Sequence, residues 1–154
     1  MGTKMRIPAL TLLFVFGAML VPGVAVCAET ATAAAAEPVH VVYHLDADSK
    51  GTTTALHQVR NQLQADPTAK VVIVAIGTSV RFLVKGSLTE GGYPFALMIE
   101  DLQQSGVRVE ACGNTMTTLK IKRDALDDGI VVVPSGMAEL ARLQSRDHYA
   151  YIKP

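Results

Sequence analysis

One cysteine, Cys112, is the strongest candidate for chemistry in this sequence. An apolar run precedes it, and Gly113, Asn114 and Thr115 follow at once. This order is typical of a strand that ends where a helix begins, and the free N–H groups and positive dipole end of a helix stabilise a thiolate. We therefore expect an activated thiol, with Asn114 or Thr115 as the helix cap and Gly113 leaving room beside the sulfur.

The N-terminal segment decides how many cysteines remain. Residues 1–28 contain two basic side chains, an apolar stretch over 10–21 and small residues around Cys27 and Ala28. This is the pattern of a secretory signal peptide, and its apolar stretch is short for a bilayer about 30 Å thick. We predict cleavage after Ala28, a periplasmic or secreted protein, no membrane attachment afterwards, and Cys112 as its one cysteine.

A lone thiol in an oxidising compartment has three explanations. It is buried and inert, it pairs between chains, or it is kept for its reactivity. The 126 residues after the cleavage site suit one domain and carry a net charge of about −2, which does not favour a nucleic-acid partner. We read residues 29–38 as a flexible Ala/Thr-rich spacer and 39–154 as an α/β domain.

Other candidate sites are weaker. Asp46 and Asp48 follow the first predicted strand, but Lys50 stands where an aspartyl phosphatase needs threonine and a calcium loop needs an oxygen ligand. A turn that caps the first helix explains the two carboxylates better. His44 is either a hydrogen-bonded structural residue or part of the site, and Gly77 offers a backbone N–H. The histidines lack metal-site spacing, so we predict no metal and no cofactor.

The remaining pattern positions these groups. Short apolar runs alternate with helical stripes, as in a three-layer α/β/α sandwich with a mainly parallel five-stranded sheet. The predicted strands are 39–45, 71–76, 107–111, 130–133 and 150–152, and the predicted helices are 54–63, 80–84, 95–102, about 115–119 and 136–144. Working groups of such sheets gather at the carboxyl ends of the strands, which here are the loops that begin at Asp46, Gly77, Cys112 and Pro134.

Three segments carry a family resemblance. Residues 106–115 (Gly-Val-Arg-Val-Glu-Ala-Cys-Gly-Asn-Thr), 132–136 (Val-Val-Pro-Ser-Gly) and 148–154 (His-Tyr-Ala-Tyr-Ile-Lys-Pro) resemble the DsrE/DsrF-like family of sulfur-relay proteins. The first-strand pattern and Asn61 also fit, so the resemblance covers nearly all of residues 39–154, and Cys-Gly-Asn-Thr is its most specific part. It implies an α/β domain that carries sulfane sulfur as a persulfide on one cysteine, matched here by Cys112, and that assembles as a homotrimer or hexamer.

We therefore expect a sulfur carrier that takes sulfur from a donor and gives it to an acceptor thiol on a protein or small molecule. Cys112 would be catalytic, and the substrate-binding residues would be Gly113, Asn114, Thr115, Gly77 and His44. Whether transfer is catalysed, as in a sulfurtransferase, stays open at this point. Two alternatives also stay open: a non-catalytic oligomeric binding module, and a soft-metal (copper) site that uses Cys112 with Met116 or a histidine.

Overall fold

The computed structural model describes Gly2 and residues 37–154, so the predicted signal peptide and nearly all of the predicted spacer lie outside the described residues. The strands are β1 His40–Leu45, β2 Lys70–Ala75, β3 Arg108–Cys112, β4 Val131–Val133 and β5 Ala150–Ile152. The α-helices are α1 Ser49–Ala65, α2 Phe95–Gln104, α3 Gly113–Leu119 and α4 Gly136–Ser145, and the 3₁₀ helices are Gly77–Leu83 and Arg123–Ala125.

The five strands form one sheet in the order β4-β3-β2-β1-β5, and each neighbouring pair is parallel. Connections between parallel strands are right-handed in nearly all proteins. The chain steps in one direction from β1 to β4, so these connections lie on one face, whereas the return from β4 to β5 runs the other way and lies on the opposite face. This return is α4, and the predicted three-layer α/β/α sandwich is confirmed.

The two faces of the sheet have separate cores of unequal size. The face that α1 and α2 cover contains Leu56 and Ile99 among its buried residues. The face that α4 covers has a smaller core, in which Leu140 and Leu143 of α4 pack on the valines of β1 and β2. Within Gly2 and residues 37–154, no helix combines the length and the apolar character needed to cross a membrane.

The loop after β1 explains where α1 begins. The Asp48 carboxylate accepts a hydrogen bond from the Gly51 N–H at 2.8 Å, and Asp48 is the N-cap residue of α1. The prediction that this acidic turn caps the first helix is confirmed. The helix nevertheless starts at Ser49, five residues before the predicted start at Thr54, because the cap acts before the apolar stripe begins.

Leu143 tests how much the smaller core contributes to stability. Leu143 lies on the buried side of α4 with 0% exposure, so Leu143→Ala should lower the free energy of unfolding by about 2–5 kcal/mol. Met137 lies on the same helix with 60% exposure, and Met137→Ala should change it by no more than about 0.5 kcal/mol. Urea unfolding of both variants measures the difference. Equal effects would contradict the assignment of α4 as the cover of this face.

Candidate functional site

The loops after β1, β2, β3 and β4 meet at the carboxyl edge of the sheet and are joined by hydrogen bonds. Three backbone N–H groups make these contacts, each at 3.2 Å: Gly77 N–H to Thr115 Oγ1, Asn114 N–H to the Pro134 carbonyl, and Gly136 N–H to Cys112 Sγ. The Ser79 hydroxyl adds a further connection, since it accepts from the Ala47 N–H at 2.8 Å. Residues far apart in the sequence therefore form one connected surface around the thiol.

Cys112 is both the last residue of β3 and the N-cap residue of α3. The prediction that Asn114 or Thr115 caps this helix is wrong, because α3 already begins at Gly113 and both residues lie inside its first turn. The Cys112 residue has 4% exposure, so the thiol is nearly covered in the single chain.

The charge state of the thiol depends on opposing effects. Burial raises the pKa of the Cys112 thiol. Hydrogen bonds from the Thr115 hydroxyl and from the N–H groups of Gly136 and Thr115 lower it. The Asn114 N–H contributes least, consistent with its hydrogen bond to the Pro134 carbonyl. The hydrogen bonds outweigh burial, so the pKa lies below the ordinary value of a cysteine and the site favours a thiolate.

Two glycines permit the close packing around Cys112. A Cβ atom at Gly113 would lie 3.1 Å from the Val133 carbonyl oxygen, so the space that this glycine leaves is filled by the β4 backbone rather than by the sulfur. A Cβ atom at Gly136 would lie 2.7 Å from Ile76 Cγ1 and 3.1 Å from Cys112 Cβ. The first turn of α4 can therefore approach the thiol only without a side chain at position 136.

Gly77 lies near the thiol but acts through Thr115. Its φ of 56° is in the left-handed region, and a side chain there would also collide with the Asp46 carboxyl group. Its N–H donates to Thr115 Oγ1, which leaves the Thr115 hydroxyl hydrogen free to point at the sulfur. Gly77 thus orients a group that contacts the thiol.

His44 is buried on the α4 face of the sheet, away from the thiol. Its Nδ1 lies 2.8 Å from the Tyr151 hydroxyl oxygen. The strand register places it level with Val74 and Glu110, two strands or about 10 Å from β3. Burial lowers the pKa of His44, the Lys153 charge lowers it further, and Asp46 opposes the change. At that separation a neutral imidazole does not stabilise the thiolate directly.

Gly136 is the functional residue that sequence reasoning missed. Its position after a strand, behind Pro134 and Ser135, is a recognisable helix start, and Ser135 is indeed the N-cap of α4. The return of α4 across the sheet is what brings this start to Cys112, and no local pattern reports that crossing.

The loop over residues 86–94 folds back on itself, with the Thr89 N–H donating to the Tyr93 carbonyl at 2.9 Å. With α1 and α2 it lines a cavity of about 600 Å³ whose walls include His57 and Leu97 but not Cys112. Metal-site geometry is also absent from Gly2 and residues 37–154, where no three His, Cys, Asp or Glu side chains converge.

Gly136→Ala tests the contact between α4 and the thiol. The added Cβ should push the helix start from Cys112 and weaken the N–H to sulfur bond, which for a charged acceptor is worth about 1.5–3 kcal/mol. Alkylation of Cys112 by iodoacetamide at neutral pH should slow by about tenfold. Gly91→Ala is the matched control, since its Cβ would meet only Thr89 Oγ1 at 3.9 Å. An unchanged rate in Gly136→Ala would rule out this contact as the source of activation.

Solved structures share this fold. The protein of unknown function MTH1491 from Methanobacterium thermoautotrophicum is 29% identical, with a TM-score of 0.67 over 75% of this chain and 99% of that chain. The ychN protein from E. coli is 17% identical, with a TM-score of 0.62 over 77% and 99%. The protein of unknown function BT1422 from Bacteroides thetaiotaomicron is 17% identical, with a TM-score of 0.57 over 75% and 94%.

No curated protein matches this chain. The family model that matches is the DsrE/DsrF-like family, and it covers residues 24–154. This range includes every strand and helix described above. The chain therefore belongs to the DsrE/DsrF-like family.

Proposed function

We propose that this protein is an exported sulfur carrier that holds sulfane sulfur as a persulfide on Cys112 and passes it to a partner thiol. Membership of the DsrE/DsrF-like family supports a role of the sulfur-relay type. The pattern of residues 1–28 supports a periplasmic or secreted location. The donor is a protein or small molecule of that compartment that carries sulfane sulfur, and the acceptor is a thiol on a protein or small molecule.

The hydrogen bond from the Gly136 N–H to Cys112 Sγ carries this proposal. Together with the Thr115 hydroxyl it favours negative charge on the sulfur, and the thiolate is the nucleophilic form of cysteine. The same donors suit a persulfide anion, which carries its charge on the outer sulfur next to Sγ. A cysteine with a purely structural role in a core has no need of these donors.

The transfer chemistry balances without an external oxidant. The Cys112 thiolate attacks the outer sulfur of a perthiol donor R–S–SH, a bond forms between Sγ and that sulfur, and the donor S–S bond breaks. The leaving thiolate R–S⁻ takes the perthiol proton and departs as R–SH, which leaves Cys112–S–S⁻ in the site. An acceptor thiol then gives its proton to the persulfide, and its sulfur attacks the outer sulfur atom. The bond between Sγ and that atom breaks, the acceptor departs as the new perthiol, and Cys112 returns to the thiolate.

Burial of the thiol fits a carrier with selected partners. With 4% exposure at Cys112, a donor must dock against the carboxyl edge of the sheet before its sulfur can reach Sγ. The same cover slows random oxidation of a thiolate, which follows exposure. A docked partner rather than bulk solvent thereby controls the reaction.

The proposal includes assembly as a homotrimer or hexamer. The two edge strands, β4 and β5, carry exposed apolar side chains, with 41% exposure at Val131 and 36% at Ile152. Open sheet edges with apolar side chains favour association with another chain. Light scattering on the purified protein measures the number of subunits.

Mass spectrometry after incubation with polysulfide or thiosulfate tests the carrier function. Wild-type protein should gain one sulfur atom on Cys112, because the activated thiolate attacks sulfane sulfur. The adduct should disappear on treatment with a dithiol and should pass to an added acceptor thiol.

Cys112→Ser is the control and should gain no sulfur with any donor. Absence of the adduct in wild-type protein with every donor would refute the carrier function. It would favour a non-catalytic binding module, which uses the fold without an activated thiol.

A further inference from the structure

Ile76 lies beside Cys112 on the face of the sheet that α4 covers. β2 and β3 are paired up to Ala75 and Ala111, so the next residues, Ile76 and Cys112, are neighbours about 4.8 Å apart. Ile76 keeps an extended backbone, with φ −129° and ψ 162°, so its side chain points to the same face as that of Val74. This side chain packs against the smaller core and has no role in the chemistry above.

The side chain of Ile76 occupies the space that Gly136 leaves empty. The point at which a Cβ atom of residue 136 would lie is 2.7 Å from Ile76 Cγ1, 2.9 Å from Ile76 Cδ1 and 3.1 Å from Cys112 Cβ. The N–H of the same glycine donates to Cys112 Sγ at 3.2 Å. The end of the Ile76 side chain and the Cys112 side chain therefore lie around one point beneath the first turn of α4.

The cover of the thiol is apolar on this side. Cys112 has 4% exposure, and because Gly136 has no side chain, the space beside Cys112 is filled by Ile76. Ile76 is itself only partly buried, so its side chain extends from the thiol toward solvent. A donor that approaches Cys112 along the carboxyl edge of the sheet must contact or displace this side chain.

The backbone donors at this edge are already in use. The three N–H groups of Gly77, Asn114 and Gly136 each donate within the protein. A charged group that enters beside Ile76 would lose its water and find these N–H groups occupied, and burial of a charge without a partner is costly. An uncharged group avoids this cost.

We propose that Ile76 determines which sulfur donors reach Cys112, by admitting an uncharged sulfane-sulfur group such as a perthiol in preference to an anion such as thiosulfate. The inference rests on the proposed sulfur-carrier function and names Ile76 as its specificity-determining residue. Thiosulfate is a dianion, and neither an apolar side chain nor an occupied N–H group compensates its charge. The perthiol R–S–SH of the transfer step above is neutral and needs no such partner.

Alkylation of Cys112 by a matched pair of reagents tests this assignment. Iodoacetamide is neutral, and iodoacetate is an anion of almost the same size. Both rates are measured at a pH where the thiol is ionised and are divided by those of free cysteine, so a change in the pKa of Cys112 does not affect the comparison. Wild-type protein should prefer iodoacetamide by about tenfold or more, because the anion would lose its water beside Ile76.

Ile76→Ala should open the site to water. The iodoacetamide rate should rise by about tenfold, since the reactivity of a thiolate follows its exposure, and the preference over iodoacetate should fall to about threefold or less. Wild-type protein without the preference, or a folded Ile76→Ala protein with unchanged rates, would overturn the proposal.

Leu63→Ala is the matched control. Leu63 is also a partly buried apolar residue, but it packs on the core of the opposite face, so both rates should stay unchanged. An equal rise in Leu63→Ala would show general loosening of the fold and overturn the proposal.

Ile76→Val covers the case in which Ile76→Ala does not fold. It removes only Cδ1 and should shift both rates in the same direction by a smaller factor, and unchanged rates would then overturn the proposal. Neither reagent transfers sulfur, so failure of persulfide loading with the expected alkylation rates would refute the carrier function alone.

Discussion

The hydrogen bond between the Gly136 N–H and Cys112 Sγ spans 24 positions of the sequence, and the site depends on it. It forms because β4 and β5 lie at opposite edges of a parallel sheet, so the connection between them must cross the sheet. Right-handed crossing places α4 on the face opposite α1 and α2, with its first turn over the end of β3. The topology of the sheet thus places an N–H donor from a distant part of the sequence beside the sulfur.

Burial and activation act together at this thiol. A covered cysteine is ordinarily neutral, because removal from water disfavours the thiolate. Here the same packing that covers Cys112 brings the Gly136 N–H and the Thr115 hydroxyl to the sulfur, and these hydrogen bonds outweigh the cost of burial. Cover from solvent also protects a thiolate, since oxidants reach exposed thiolates first.

The fold was predictable because β2 and β4 are runs of β-branched residues, and β2 is apolar on both faces as a central parallel strand must be. The rule that working groups gather at strand ends also predicted that Gly77, Cys112 and Pro134 lie at one edge of the sheet. The prediction of Asn114 or Thr115 as the helix cap was wrong, because the cap position is set by backbone conformation, and here that position is Cys112. Gly136 was missed because the position of α4 is a tertiary property.

Titration of the Cys112 thiolate by its ultraviolet absorbance, with Cys112→Ser subtracted, tests the central claim most directly. The account predicts a midpoint below about 8.5, the ordinary value for a cysteine thiol, because hydrogen bonds from α3 and α4 stabilise the anion. A midpoint at or above that value would show that burial outweighs these donors. It would contradict the assignment of Cys112 as an activated thiol.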